Sequence, residues 1–144
     1  MRISDILRSK GAAVVTIRPE DTVRTLVARL AEHNVGALVV NADGYGVAGI
    51  VSERDIARGL FADPDLLDAP VSRIMTTDVH TRLPSDSIED LMVLMTDRRI
   101  RHVPVVSDSG ALVGIVSIGD VVKSRIGQLE FEKQQLEGYI AGAG

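Results

Sequence analysis

The chain has no cysteine, and aromatic residues make up only 3% of its 144 positions. Without cysteine there can be no disulfide, no thiol nucleophile and no cysteine-based metal site. With so few rings, a core must be assembled from Val, Ile, Leu, Met and Ala, which suits β-branched strands packed by aliphatic helices. Basic charge is also short: the net charge is −4, whereas a general nucleic-acid binder carries a basic stripe. No apolar run approaches a membrane span, and Met1-Arg2-Ile3-Ser4-Asp5 does not open like a signal peptide. The expectation is a soluble cytoplasmic protein with no nucleic-acid and no membrane partner. The length suits one compact domain or two small, interlocked ones.

What the chain does contain is a repeat. Gly49-Ile50-Val51-Ser52-Glu53-Arg54-Asp55 returns 65 positions later as Gly114-Ile115-Val116-Ser117-Ile118-Gly119-Asp120. The offset holds without a gap back to Pro19 and Pro84, and it also pairs Leu26 with Leu91 and Val40 with Val105. A duplicated unit buries its apolar face against something, most simply the other copy, so two related clefts are expected where the copies face each other.

Val23, Leu26, Val27 and Leu30 recur at helical spacing, as do Ile88, Leu91, Met92 and Met95, with Asp21-Thr22 and Asp86-Ser87 positioned to start each helix. The apolar runs 37–40 and 103–106 read as strands, each followed by a polar turn and a hairpin partner at 47–51 and 112–116. A second helix opens after Ser52 and after Ser117, and short extended segments at 14–17 and 79–82 precede everything else. Each unit is therefore strand, helix, strand, strand, helix. Residues 61–70, with Pro64 and Pro70, read as a linker. Ile3-Ser4-Asp5-Ile6-Leu7 resembles Val71-Ser72-Arg73-Ile74-Met75 at an offset of 68, so the first copy carries three extra residues within 8–13, expected to form a longer surface loop. The division is a first unit at 1–62, a linker at 63–70, a second unit at 71–127 and a helical extension at 128–144. Along the last helix, which runs on into that extension, Val122, Ile126, Leu129, Leu136 and Ile140 form one stripe, which either covers the module's own core edge or makes a dimer seam.

The repeated motif reads as strand, tight turn and helix start. A serine with an acid three residues on has a structural explanation: the hydroxyl caps free N–H groups and the acid complements the helix dipole. Asp is the shorter and weaker partner for a reciprocal cap. The same physics suits a ligand, because a helix N-terminus at a strand's end presents N–H donors to an anion. An aspartate one turn in can accept two hydrogen bonds from a ribose diol while the serine faces phosphate.

The repeated unit resembles the cystathionine-β-synthase (CBS) domain, and the pair resembles a Bateman module, over residues 1–127. The resemblance implies an α/β (α+β) fold of tandem β-α-β-β-α units packed with pseudo-two-fold symmetry. It implies regulatory binding of AMP, ADP, ATP, NAD(H) or S-adenosylmethionine between the copies, with no required cofactor, no metal and no catalysis. Asp55 and Asp120 would hold ribose, while Ser52, Arg54, Ser117, Arg101 and His102 would face phosphate. Thr16, Ile17, Thr81 and Arg82 would line the base. Arg101-His102-Val103-Pro104-Val105 matches the family's basic strand start, whereas Gly36, Ala37 and Val39 depart from it in the first copy, so the two clefts should not be equivalent. Arg98 and Arg99 read instead as a solvated helix end. The implied partners are an adenosyl small molecule, a second copy in a homodimer and a regulated protein whose identity the residues do not encode. The alternative is an interaction scaffold with vestigial clefts.

Other signals fail on context. Gly44-Tyr45-Gly46-Val47-Ala48-Gly49 spells G-x-G-x-x-G, but it bridges two expected strands rather than opening a helix. His33, His80 and His102 are scattered, with His33 read as an exposed helix-end residue. An enzyme would have His102 as its one neutral-pH proton carrier near the cleft. Met92 and Met95 read as packing residues.

Overall fold

The computed structural model of the chain describes residues 1–11 and 13–143. After helix α1 (Ile3–Lys10), the first unit runs β1 (Thr16–Ile17), α2 (Val23–His33), β2 (Ala37–Val40), β3 (Gly49–Ser52) and α3 (Glu53–Ala62). β1 pairs parallel with β2, and β2 pairs antiparallel with β3. Thr22 caps α2 by accepting the Thr25 N–H, and Asn34 ends it in the left-handed region at φ 52°. Short side chains that hydrogen-bond their own backbone suit both positions. The glycine-rich stretch bridges β2 and β3, with Gly44 at φ 74°, so these glycines serve a turn.

The second unit repeats α4 (Ile88–Arg98, capped by Ser87), β4 (His102–Val106), β5 (Leu112–Ser117) and α5 (Ile118–Ala143). Its expected first strand shrinks to a single bridge, Arg82 to Val105. The reason lies in the repeat. Thr16 pairs with Val39 in the first unit. The equivalent of Val39 is Pro104, which has no N–H to extend a ladder. The first sheet therefore has three strands and the second has two.

The segments leading into the two units are exchanged. Ile3 donates its N–H to the Asp86 carbonyl at 2.9 Å and Ser4 to Pro84 at 2.9 Å; Val71 donates to Asp21 at 2.8 Å and Ser72 to Pro19 at 3.0 Å. These are the same contacts with the copies swapped, which defines the pseudo-two-fold. Ile3 and Ile6 of α1 accordingly sit in the second core with Leu91, Met95, Val103 and Val116. Leu66, Ala69 and Val71 complete the first core with Leu26, Leu38, Val51 and Ile56. The linker is thus a packed element that includes a 3₁₀ turn, Leu66–Asp68, and a second 3₁₀ turn, Val71–Arg73, opens the next unit. The expected surface loop at 8–13 is also different: 8–10 continue α1, and Ala12 lies outside the described residues.

α5 packs against β5, α1 and α4 only through its beginning, where Val121 is its one buried residue among those described. Val122, Ile126, Leu129, Leu136 and Ile140 are all exposed, so the stripe does not cover the module's own core. Among the described residues no helix is long and apolar enough to cross a membrane.

Candidate functional site

β3 runs into α3 at Ser52, and the backbone turns there in an extended conformation (φ −127°). Ser52 Oγ accepts the Asp55 N–H at 3.4 Å, and Asp55 Oδ2 accepts the Ser52 N–H at 2.8 Å. The second motif does the same: Ser117 donates its N–H to Asp120 Oδ2 at 2.9 Å, and Asp120 donates to Ser117 Oγ at 3.2 Å. The capping explanation is correct for both motifs, and Asp is long enough to close the reciprocal cap. Capping uses one carboxylate oxygen only. Among the described residues Asp55 Oδ1 accepts no hydrogen bond, so this oxygen stays free for a further donor.

Ser52, Arg54 and Asp55 line a cavity of about 570 Å³ together with Arg101 and His102 of the other copy. The walls come from three places. The start of α3 supplies the capped helix end, with its partial positive charge. The start of β4 supplies Arg101 and His102 beside Gly36 and Ala37 of β2. The segment leading into the second unit supplies Thr76, Asp78, Val79 and His80. The two walls meet at Gly36, where an added Cβ would sit in ordinary contact with His102 Cε1 at 3.5 Å. The open cleft is therefore that of Asp55, and the basic strand start of the second copy faces it.

The equivalent position in the second copy is filled. Lys10, at the end of α1, donates to Asp120 Oδ2 at 2.7 Å and to the Ile115 carbonyl at 2.8 Å. Burial works to raise the Asp120 pKa, but the Lys10 ammonium and the Ser117 N–H outweigh it and hold the carboxyl below its ordinary range. His102 sits between both motifs. Burial lowers its pKa, Lys10 and Arg101 add to that, and Asp120 and Glu53 oppose it. The imidazole is thereby held neutral near pH 7.

The residues expected to line a base lie elsewhere. Ile17 is in the first core and Thr16 carries its carbonyl against Arg29 at 2.8 Å. Thr81 and Arg82 line a separate hollow of about 520 Å³ with Asp86, Asp90 and Asp97. Thr76, Val79 and His80 occupy the cleft wall instead. Arg99 caps α4 in the left-handed region (φ 54°), as a solvated helix end does, yet it also lines the cleft. Two histidines, His80 and His102, share the cleft and are less scattered than their spacing suggests. Among the described residues no three His, Cys, Asp or Glu side chains are placed to hold a metal ion. His33 is exposed at the end of α2, and Met95 is buried while Met92 is exposed.

A family model described as CBS domain matches residues 3–62 and 71–127. The CBS domain-containing protein CBSX3, mitochondrial, of Arabidopsis thaliana is 40% identical over 149 residues, covering 97% of this chain and 72% of the relative. Among solved structures, a CBS-domain containing protein from Agrobacterium tumefaciens is 38% identical with a TM-score of 0.82, over 87% of this chain and 99% of that one. The CBS domain pair of protein MJ0100, crystallised with 5′-methylthioadenosine and S-adenosyl-L-methionine, shares the fold at 24% identity and a TM-score of 0.75, over 89% of this chain and 98% of its own.

Proposed function

The chain belongs to the CBS domain family as a tandem pair, and from that membership we propose a regulatory module that binds an adenosyl ligand between its copies. CBS pairs are commonly regulatory, and no catalytic step is assigned to this one. The observation that carries the reading is the make-up of one cavity. At about 570 Å³ it lies within the range of small-molecule pockets, about 300–1,000 Å³. In this reading Asp55 Oδ1 accepts from a ribose hydroxyl while its Oδ2 keeps the cap. Arg101, Arg54 and the N-terminus of α3 face phosphate, and Ile50, Ala57 and Val79 give the base an apolar wall. The candidates are AMP, ADP, ATP, NAD(H) and S-adenosylmethionine. A pair of the same fold holds 5′-methylthioadenosine and S-adenosyl-L-methionine, which supports an adenosyl compound as the class of ligand.

Because the walls belong to both copies, a bound ligand favours the closed arrangement, and a protein partner that distinguishes closed from open reads the signal. A coupling of roughly 1–3 kcal/mol is enough to change that partner's affinity usefully. The setting proposed is the cytoplasm, although the Arabidopsis relative is mitochondrial by name. The test is mass spectrometry of small molecules released from the denatured protein, with thermal shifts for the five candidates. At a hundredfold excess over Kd a true ligand adds about 2.7 kcal/mol, or roughly 5–10 °C in Tm. No released adenosyl compound and no shift with any of the five would end this reading.

A second reading, a dimerisation scaffold, is supported by α5. Its Val122, Ile126, Leu129 and Leu136 are exposed along one helix. Both readings share a homodimer, but only the first needs an occupied cleft.

A further inference from the structure

We propose that Lys10 is an internal occupant of the second cleft, so that the chain takes one adenosyl ligand rather than two; this rests on the ligand-binding reading above. Apart from the strand starts, where Gly36 and Ala37 stand against Arg101 and His102, the two clefts differ in what the segment leading into each unit places beside the helix cap. In the open cleft the Ile50 carbonyl accepts the Thr76 N–H at 2.9 Å. In the other, the equivalent Ile115 carbonyl accepts the Lys10 ammonium at 2.8 Å, and the same ammonium pairs with Asp120 at 2.7 Å. A side chain has thus replaced a backbone bond, and its ammonium sits against Asp120 Oδ2, the oxygen that also keeps the cap, where a ligand would approach.

The repeat shows why only one cleft is affected. At the offset of 68 that aligns the leading segments, Leu7 matches Met75 and Lys10 matches Asp78. Leu7 lies over Gly114, where an added Cβ would come within 2.6 Å of it; Met75 lies over Gly49, with Sδ at 3.0 Å. The anchors are equivalent. Three residues past the anchor α1 presents a cation to Asp120, whereas the other segment presents Asp78, an acid that cannot neutralise Asp55. Helical spacing of three places Leu7 and Lys10 on one face, so docking of the leucine delivers the ammonium. α1 runs on to Lys10, and Gly11, at φ 98°, ends the helix immediately afterwards.

Isothermal titration of the full chain with AMP and, in parallel, S-adenosylmethionine tests this. The wild type should bind one equivalent, Lys10→Ala should bind two, and Lys10→Ala with Asp120→Ala should return to one. Amide hydrogen exchange matching the wild type should show that Lys10→Ala is folded, and carboxyl ¹³C shifts should then show the Asp120 pKa rising as the pair is broken. Two equivalents in the wild type, or one in Lys10→Ala, overturns the inference and leaves the ligand-binding reading intact. Loss of all binding in Lys10→Ala would make the lysine a ligand contact and overturns it too. No binding by either protein to either compound overturns the inference together with the reading beneath it.

Discussion

Truncating Ile3 should damage the second unit, although Ile3 belongs to the first copy of the repeat. Ile3 is fully buried among α4, β4 and β5 residues. Ile→Ala at such a site removes the transfer energy of the lost carbons and leaves a cavity, typically about 2–5 kcal/mol. Against a total stability of about 5–15 kcal/mol that is a large share, and at this chain length it corresponds to roughly 5–15 °C in Tm. The location is more telling than the size. Hydrogen exchange in Ile3→Ala should accelerate most in α4, β4 and β5. Val71→Ala, its pseudo-symmetric counterpart in the first core, should accelerate α2, β2 and β3 most. If each substitution instead loosened the unit of its own sequence copy, or both gave one pattern, the exchanged packing of the leading segments would be refuted.

Gly114→Ala should cost about 1–3 kcal/mol by overpacking, because its Cβ would meet Leu7 Cδ2 at 2.6 Å; Leu7→Ala in the same chain should recover part of that loss in a denaturation midpoint. Stability should fall with acidification in two steps. His102 has a depressed pKa, so the unfolded chain takes up its proton first and stability declines as pH drops below the ordinary value of about 6.5, a slope that His102→Gln should flatten. Asp120 is also depressed, so its contribution is fully present above the ordinary value of about 3.9 and is lost below it, as pH falls through the lower folded-state pKa. Truncation after Gly127 should leave Tm within a few degrees, since α5 buries nothing past Val121 among the described residues, and sedimentation should show dimer converting to monomer if the stripe is the seam.

Much of the fold can be read from the residues. The capping serines, the hairpin strands and the apolar helix faces, apart from the exposed Val27 and Met92, lie where period and punctuation put them, and the repeat carries the pseudo-symmetry. Three things escaped that reading for physical reasons. A repeat says that Ile3 and Val71 are equivalent, but not which core each one covers, because equivalent surfaces can be exchanged at no local cost. Pro104 was visible as a family feature, whereas its consequence, a first strand reduced to one bridge, follows from which partner it faces. Lys10 sat in a stretch expected to be loop, and only the anchoring of Leu7 on Gly114 turns its ammonium toward Asp120. The cleft followed a similar course. Ser52, Arg54, Asp55, Arg101 and His102 come together as their motifs suggest, while His80 joins them through the path of the segment leading into the second unit and Arg99 through the end of α4, which residue types do not record.

The central claim is a ligand gripped by both copies at once, from Asp55 on one side and Arg101 on the other. Calorimetric titration of AMP and S-adenosylmethionine into the wild type, Asp55→Ala and Arg101→Ala is its most direct measurement. The account predicts that the wild type binds at least one of the two, and that each substitution alone weakens AMP at least tenfold, about 1.4 kcal/mol. Undiminished AMP affinity in either variant would contradict it.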